Sequence, residues 1–197
     1  MKKILCALVL FSSLAFSSDF ENYKISCESG NGADCSKLAY LYYYGNGVIR
    51  SLSKAKEYTS KACDLGDGEG CNNLADLYYN GDGVEQSYAK AAEYTAKACY
   101  LDYGAACSNM SYYYERGQGV EFSYKKAAEY AVKGCDLNDS IGCYNLGVST
   151  LEKMGLSPTR AKAQKYINKA KPYFKKACDL GYKKGCEKLR ELKELII

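Results

Sequence analysis

Apolar side chains recur along this chain in two alternating helical stripes. In the stretch CNNLADLYYN, Cys71, Leu74, Ala75 and Tyr78 fall at i, i+3, i+4 and i+7, the spacing of a helix with one buried face. Gly81 and Gly83 end that stretch, and Val84 follows as an apolar residue able to dock into a core. The next stripe, Ala91, Tyr94, Ala98 and Leu101, opens after Ser87, a residue suited to capping a helix. The same text returns on either side, with Gly-x-Gly-Val turns at 45–48, 81–84 and 117–120 and cap serines at Ser51, Ser87 and Ser123. A phosphate-binding loop is the sharper reading of the glycines, but no strand precedes them and they occur three times. One helix pair cannot bury its stripe alone, so neighbouring pairs must stack. The pattern predicts an all-α protein, a right-handed α/α solenoid of helix-turn-helix repeats.

The cysteines set the period. They fall as Cys27/Cys35, Cys63/Cys71, Cys99/Cys107, Cys135/Cys143 and Cys178/Cys186, each pair separated by seven residues; the first members step by 36 three times and then by 43, a seven-residue insertion. The fourth unit also lacks the Gly-x-Gly-Val turn and places Pro172 where earlier units carry Glu57, Glu93 and Glu129. Ser157-Pro158 offers a new helix start there, and a kink is expected near Pro172. The segment 19–28 reads as an opening half-unit and 185–197 as a closing helix, the atypical ends a repeat array needs as caps.

Composition narrows the function. The chain has 11 Cys and 21 Tyr but no His, which excludes imidazole-based nucleophile pairs, His-bearing zinc sites and the haem-attachment signature. No cofactor or metal is expected. At the start, Lys2 and Lys3 precede an apolar run from Ile4 to Leu10, and Ala15-x-Ser17 is a small-x-small cleavage site, so residues 1–17 read as a secretory signal and 18–197 as a single repeat domain. Cys6 leaves with the signal, giving an even ten cysteines in an oxidising compartment, periplasmic or extracellular. The formal charge of +4 falls to +2 without Lys2 and Lys3, and the charges are interspersed, which is no footprint for nucleic acid. No later segment is apolar enough to span a membrane, and a monomer is expected.

In each unit the first cysteine ends one helix and the second opens the next across a short loop. Those termini lie near each other in an antiparallel connection, so each cysteine is expected to pair with its neighbour as a structural staple. The spacing is not that of a zinc knuckle, and there is no Cys-x-x-Cys.

The combination Leu-x-x-Leu-Tyr-x-x-Gly-x-Gly-Val followed by Lys-Ala-x-x-Tyr-x-x-Lys-Ala-Cys, at period 36, resembles Sel1-like repeats, relatives of the tetratricopeptide repeat. With a cysteine pair in every unit, the chain is similar to the secreted Helicobacter cysteine-rich proteins. Members of that group have been labelled penicillin-binding proteins or weak β-lactamases, and the resemblance implies that activity as one alternative. Ser-x-x-Lys, the nucleophile motif of serine β-lactamases, occurs at Ser51/Lys54, Ser87/Lys90 and Ser123/Lys126. All three copies occupy one repeat position, where the serine would cap a helix and the lysine would pair with Glu57, Glu93 or Glu129. Lys-Thr-Gly and Ser-Asp-Asn are missing, so the residues argue against an efficient enzyme.

The tyrosine clusters 42–44, 78–79 and 112–114 cannot all be buried on one stripe, because adjacent helical residues point about 100° apart. Tyr43, Tyr79 and Tyr113 are expected to face the concave groove of the solenoid beside Asn73, Asn109 and Asn145, which stand 36 residues apart. Rings for contact area and amides for main-chain hydrogen bonds would suit a peptide, a peptidoglycan fragment or a protein partner.

Overall fold

The structure, a computed structural model, describes residues 19–153, 155 and 159–194. Ten helices and no strand are found among these residues: α1 (19–28), α2 (Gly32–Tyr44), α3 (Leu52–Asp64), α4 (Gly68–Asn80), α5 (Tyr88–Tyr100), α6 (Gly104–Arg116), α7 (Tyr124–Asp136), α8 (Ser140–Glu152), α9 (Arg160–Asp179) and α10 (Lys183–Glu194). The chain forms two compact units, one ending at Tyr94 and the other beginning at Thr95, so the division falls inside α5. The expected signal segment, Cys6 and Ser157-Pro158 lie outside the described residues. The helix expected to start at Ser157-Pro158 is described from Arg160, where the Thr159 hydroxyl accepts the Lys162 amide at 3.3 Å, and it runs unbroken through Pro172.

Local chemistry explains the helix ends. Ser51, Ser87 and Ser123 each accept the amide of the residue three positions on, at 3.3 Å, which satisfies one of the first-turn donors that the helix leaves unpaired. Asp67 and Asp139 do the same for Gly70 and Gly142, at 2.9 and 2.7 Å. Gly81 closes α4 in the left-handed region, φ 79°, and donates its amide to the Leu77 carbonyl.

In the first unit, the Cys27–Cys35 and Cys63–Cys71 disulfides join α1 to α2 and α3 to α4, with Cα atoms 4.8 and 4.3 Å apart. All four cysteines are fully buried; Leu38 and Ala62 complete the core around the first pair, with Phe20, Tyr23 and Tyr58 packed against it. The helix ends approach so closely that a methyl on Gly70 would lie 2.4 Å from the Ala62 Cβ. Ser36 donates its hydroxyl to the Asp67 carboxylate, so one side chain caps α4 and ties α2 to it.

The second unit repeats the scheme with Cys99–Cys107, Cys135–Cys143 and Cys178–Cys186. Lys133 donates to the Cys99 carbonyl at 2.8 Å and Lys176 to the Cys135 carbonyl at 2.6 Å, placing positive charge where a helix C-terminus is negative. The loop position held by a positive-φ glycine at Gly30, Gly66 and Gly181 carries Asp102 and Asn138, at φ 59° and 62°, two residue types that tolerate the left-handed region. In the fourth repeat Phe174 becomes a fully buried anchor among Tyr144, Ile167, Ala170 and Leu192. Gly147 makes room for it, since a Cβ there would lie 2.8 Å from the ring.

That contact predicts overpacking. Gly147→Ala is expected to lower stability by ~1–3 kcal/mol in chemical denaturation, despite the better helix propensity of alanine. In a double-mutant cycle, Phe174→Leu should recover more than about 0.5 kcal/mol of that loss; strict additivity would show that the ring and residue 147 do not compete for space.

Candidate functional site

The three Ser-x-x-Lys copies are placed by the fold as helix starts. Each serine hydroxyl accepts the amide of its own lysine, and each lysine ammonium lies over a tyrosine ring: Lys54 over Tyr42 at 4.9 Å, Lys90 over Tyr78 at 5.0 Å and Lys126 over Tyr114 at 5.1 Å. The rings are themselves stacked in near-parallel pairs, Tyr42–Tyr58, Tyr78–Tyr94 and Tyr114–Tyr130, with centroids 5.5–5.6 Å apart. The lysine expected to pair with a glutamate thus finds its place on the negative face of a ring. All three lysines remain exposed to water. Among the described residues, no hydrogen bond joins a lysine ammonium to the serine hydroxyl of its motif. Such a bond is what activates a serine nucleophile.

The first unit holds a cavity of about 250 Å³ bounded by α2, α3 and α4. Tyr40, Tyr43 and Tyr44 form one wall, Ala55 and Thr59 a second, and Asn73, Asp76, Leu77 and Asn80 a third, with Asp82 at the edge. Tyr40 and Tyr44 are about half exposed, and their ring centroids are 4.6 Å apart. The Tyr43 hydroxyl donates to Asp82 Oδ2 at 2.7 Å, a bond that with burial holds this phenol above its usual range. The Thr59 hydroxyl donates back to the Ala55 carbonyl at 3.0 Å and is satisfied. Asp76 stands apart. It is exposed at the rim of the cavity, and partial desolvation by the neighbouring walls pushes its pKa up to about 6. Its hydrogen-bond partner is the Asn72 amide at 3.4 Å.

The Sel1 repeat pattern is matched four times, at residues 33–67, 68–103, 104–139 and 140–182, which together make up most of the chain. The chain belongs to the Sel1 repeat family. Each matched Sel1 repeat is one helix pair, from α2–α3 to α8–α9, which accounts for the all-α solenoid class expected from the periodicity. Cysteine rich protein B of Helicobacter pylori is 32% identical, covers 66% of this chain with 94% of its own length, and superposes with a TM-score of 0.56. A protective antigen of uropathogenic Escherichia coli strains is 25% identical with a TM-score of 0.74; it covers 86% of this chain, and the match spans 35% of that protein. A Sel1 repeat protein from Oxalobacter formigenes, 21% identical over 89% of this chain and 76% of its own, has a TM-score of 0.66 and shares the fold. No curated protein matches the sequence.

Counted in Sel1 repeat register, the expected groove residues divide. Tyr43 and Asn73 line the cavity. Tyr79 is half-buried and packs edge-on against Tyr88 at 5.2 Å, and Asn109 and Asn145 are half-buried on α6 and α8. Tyr113 is a correction: at 5% exposure it belongs to the core. Its repeat equivalents are Leu41 and Leu77, and the residue in register with Tyr43 and Tyr79 is Glu115. Burial and then the neighbouring Glu152 hold the Glu115 carboxyl above its ordinary range, with Arg116 opposing. Sequence reasoning missed Asp76 altogether. The signal was available, since the same Sel1 position carries Tyr40, Tyr112 and Val148 in the other repeats.

Two outcomes follow from these placements. Ser51→Ala, Ser87→Ala and Ser123→Ala should each lower stability by ~1 kcal/mol as a cap is lost. None should change the response to a chromogenic cephalosporin; turnover abolished by one of the three would contradict the capping role. Asp76 is predicted to oppose folding when ionised, because its folded pKa exceeds the ordinary 3.8. The penalty is complete above about pH 6 and is lost as the pH falls below 3.8. Asp76→Asn should therefore stabilise the chain at pH 7.5 by about 1 kcal/mol, a value reduced for solvent contact, and lose that effect at about pH 3 in denaturant titrations.

Proposed function

We propose that this protein is an exported, disulfide-stapled Sel1 repeat scaffold that binds an extended segment of a partner protein on the face formed by α2 and α4. The cavity in the first unit carries the reading: it is concave, its walls mix aromatic rings with amides, and Tyr43 and Asn73 meet there. Pockets of this composition, apolar surface with a few convergent polar groups, are the usual form of a recognition site. Sel1 repeats generally mediate protein interactions, which favours a polypeptide ligand over a cell-wall fragment. Export is supported by the Lys2/Lys3 start with its apolar run and by five disulfides, which persist in oxidising compartments. No helix among the described residues is long and apolar enough to cross a membrane. β-Lactam hydrolysis is not proposed, because the motif serines are engaged as caps and their lysines lie on tyrosine rings.

Selection of a displayed random dodecapeptide library on the oxidised chain tests the reading, with the Tyr43→Ala/Asn73→Ala double variant as the counter-selection. Enriched peptides should bind the wild-type chain at least tenfold more tightly than the double variant. Failure to enrich any sequence over the variant would refute a peptide-binding face at this position.

A further inference from the structure

We infer that the α2–α4 pocket is selective for a cationic side chain, a lysine or arginine carried by the bound segment, with its charge at Asp76 and its stem against Tyr40 and Tyr44. The inference deepens the scaffold reading and rests on it for the source of the cation.

The lining is asymmetric in charge. Asp76 and Asp82 are its two ionisable carboxylates, the phenols of Tyr40, Tyr43 and Tyr44 face them from α2, and α3 contributes the uncharged Ala55 and Thr59. Among the described residues, no lysine or arginine lines the cavity. Arg50 approaches its wall, but the guanidinium lies 5.9 Å from the Tyr43 ring centroid and its Nε donates to the Tyr43 carbonyl at 2.9 Å. Lys54 is on Tyr42, and Lys37 is paired with Asp34 at 2.8 Å.

The two carboxylates are not equivalent. Asp82 already accepts the Tyr43 hydroxyl. Asp76 holds one long contact to the Asn72 amide, and among the described residues no cation pairs with it. An ionised carboxylate offers about four acceptor sites, so most of its capacity is open to water or to a ligand at the cavity rim. The other Sel1 repeats fill this position with Tyr40, Tyr112 and Val148, so building the helix does not require an acid there. Tyr40 and Tyr44, 54% and 58% exposed, add two ring faces at the mouth, and ring faces attract ammonium and guanidinium groups. The desolvation that raises the Asp76 pKa would be offset by a cation brought in with a ligand.

The test is a ¹H–¹⁵N NMR titration of the disulfide-intact chain with Nα-acetyl-lysine methylamide and Nα-acetyl-arginine methylamide, with the norleucine counterpart as an uncharged control. Both cations should give saturable shifts confined to Tyr40, Tyr43, Tyr44, Asn73, Asp76 and Asn80, and norleucine should bind at least tenfold more weakly. Asp76→Asn should weaken the cations at least tenfold, with its fold checked by the same spectrum. Lowering the pH from 7.5 to 5 should weaken them about tenfold, as a carboxylate titrating near 6 becomes protonated. Equal binding of norleucine, or indifference to Asp76→Asn, would overturn the assignment. Library peptides that bind without a basic residue and ignore Asp76→Asn would also remove the charge selectivity while leaving the scaffold intact. Saturation by the lysine probe when no peptide enriches would instead retain the cation site and discard the polypeptide partner.

Discussion

A cystine that ties the last turn of one helix to the first turn of the next is the constraint on which every repeat depends. With Cα atoms 4.3–4.8 Å apart, the bridge forces two helix ends closer than ordinary side-chain packing allows. In four of the five joints the neighbouring positions are alanine or glycine, Ala62 with Gly70, Ala98 with Ala106, Gly134 with Gly142 and Ala177 with Gly185; the first joint carries Ser26 and Asp34. A Cβ added at Gly70 or Gly185 would meet the opposing alanine Cβ at 2.4 or 2.8 Å, and one at Gly134 or Gly142 would meet the Ser108 hydroxyl at 2.6 or 2.5 Å. Each closed loop spans about nine residues and contributes roughly 2.6 kcal/mol by the chain-entropy account, less any strain. Small apolar cores such as that around Cys27, Cys35, Leu38 and Ala62 are thereby sufficient.

The same joint must satisfy backbone groups that the helices leave unpaired. A left-handed residue turns the chain at Gly30, Gly66, Asp102, Asn138 and Gly181. On the incoming side, Asp67 and Asp139 accept helix amides and are themselves held by Ser36 and Ser108. On the outgoing side, Lys133 and Lys176 reach cysteine carbonyls. The exposed Lys133–Asp102 ion pair adds little by itself; the charged hydrogen bond to a helix-end carbonyl is the stronger term.

These joints were legible because their signals are local. Seven residues between cysteines, a turn residue in the loop and a serine or threonine before each second helix all refer to chain neighbours, and the repeat period returns them until the pattern is unambiguous. Contacts made across helices were harder to read. The lysine of Ser-x-x-Lys has Glu57, Glu93 or Glu129 nearby in sequence, while its ring partner comes from the preceding helix, twelve residues away in every copy. Tyr113 was misplaced for a related reason. In a run of three tyrosines, residue type does not reveal which one points inward; only register against Leu41 and Leu77 does, and it assigns Tyr113 to the core.

Stability concentrated at the joints frees the opposite helix face to vary. The cysteines and their small neighbours barely change from repeat to repeat, whereas successive repeats place Tyr40, Asp76, Tyr112 and Val148 at one face position and Tyr44, Asn80, Arg116 and Glu152 at another. A residue that must hold the fold together is selected for apolar size, and a carboxylate there would be excluded by its desolvation cost. Asp76 can occupy a position whose surroundings raise its pKa to about 6 because the neighbouring cystine, not the residue itself, keeps α3 against α4. Partner chemistry can then be written residue by residue on that face, since a bridge that restricts the unfolded chain stabilises the repeat whatever the face displays.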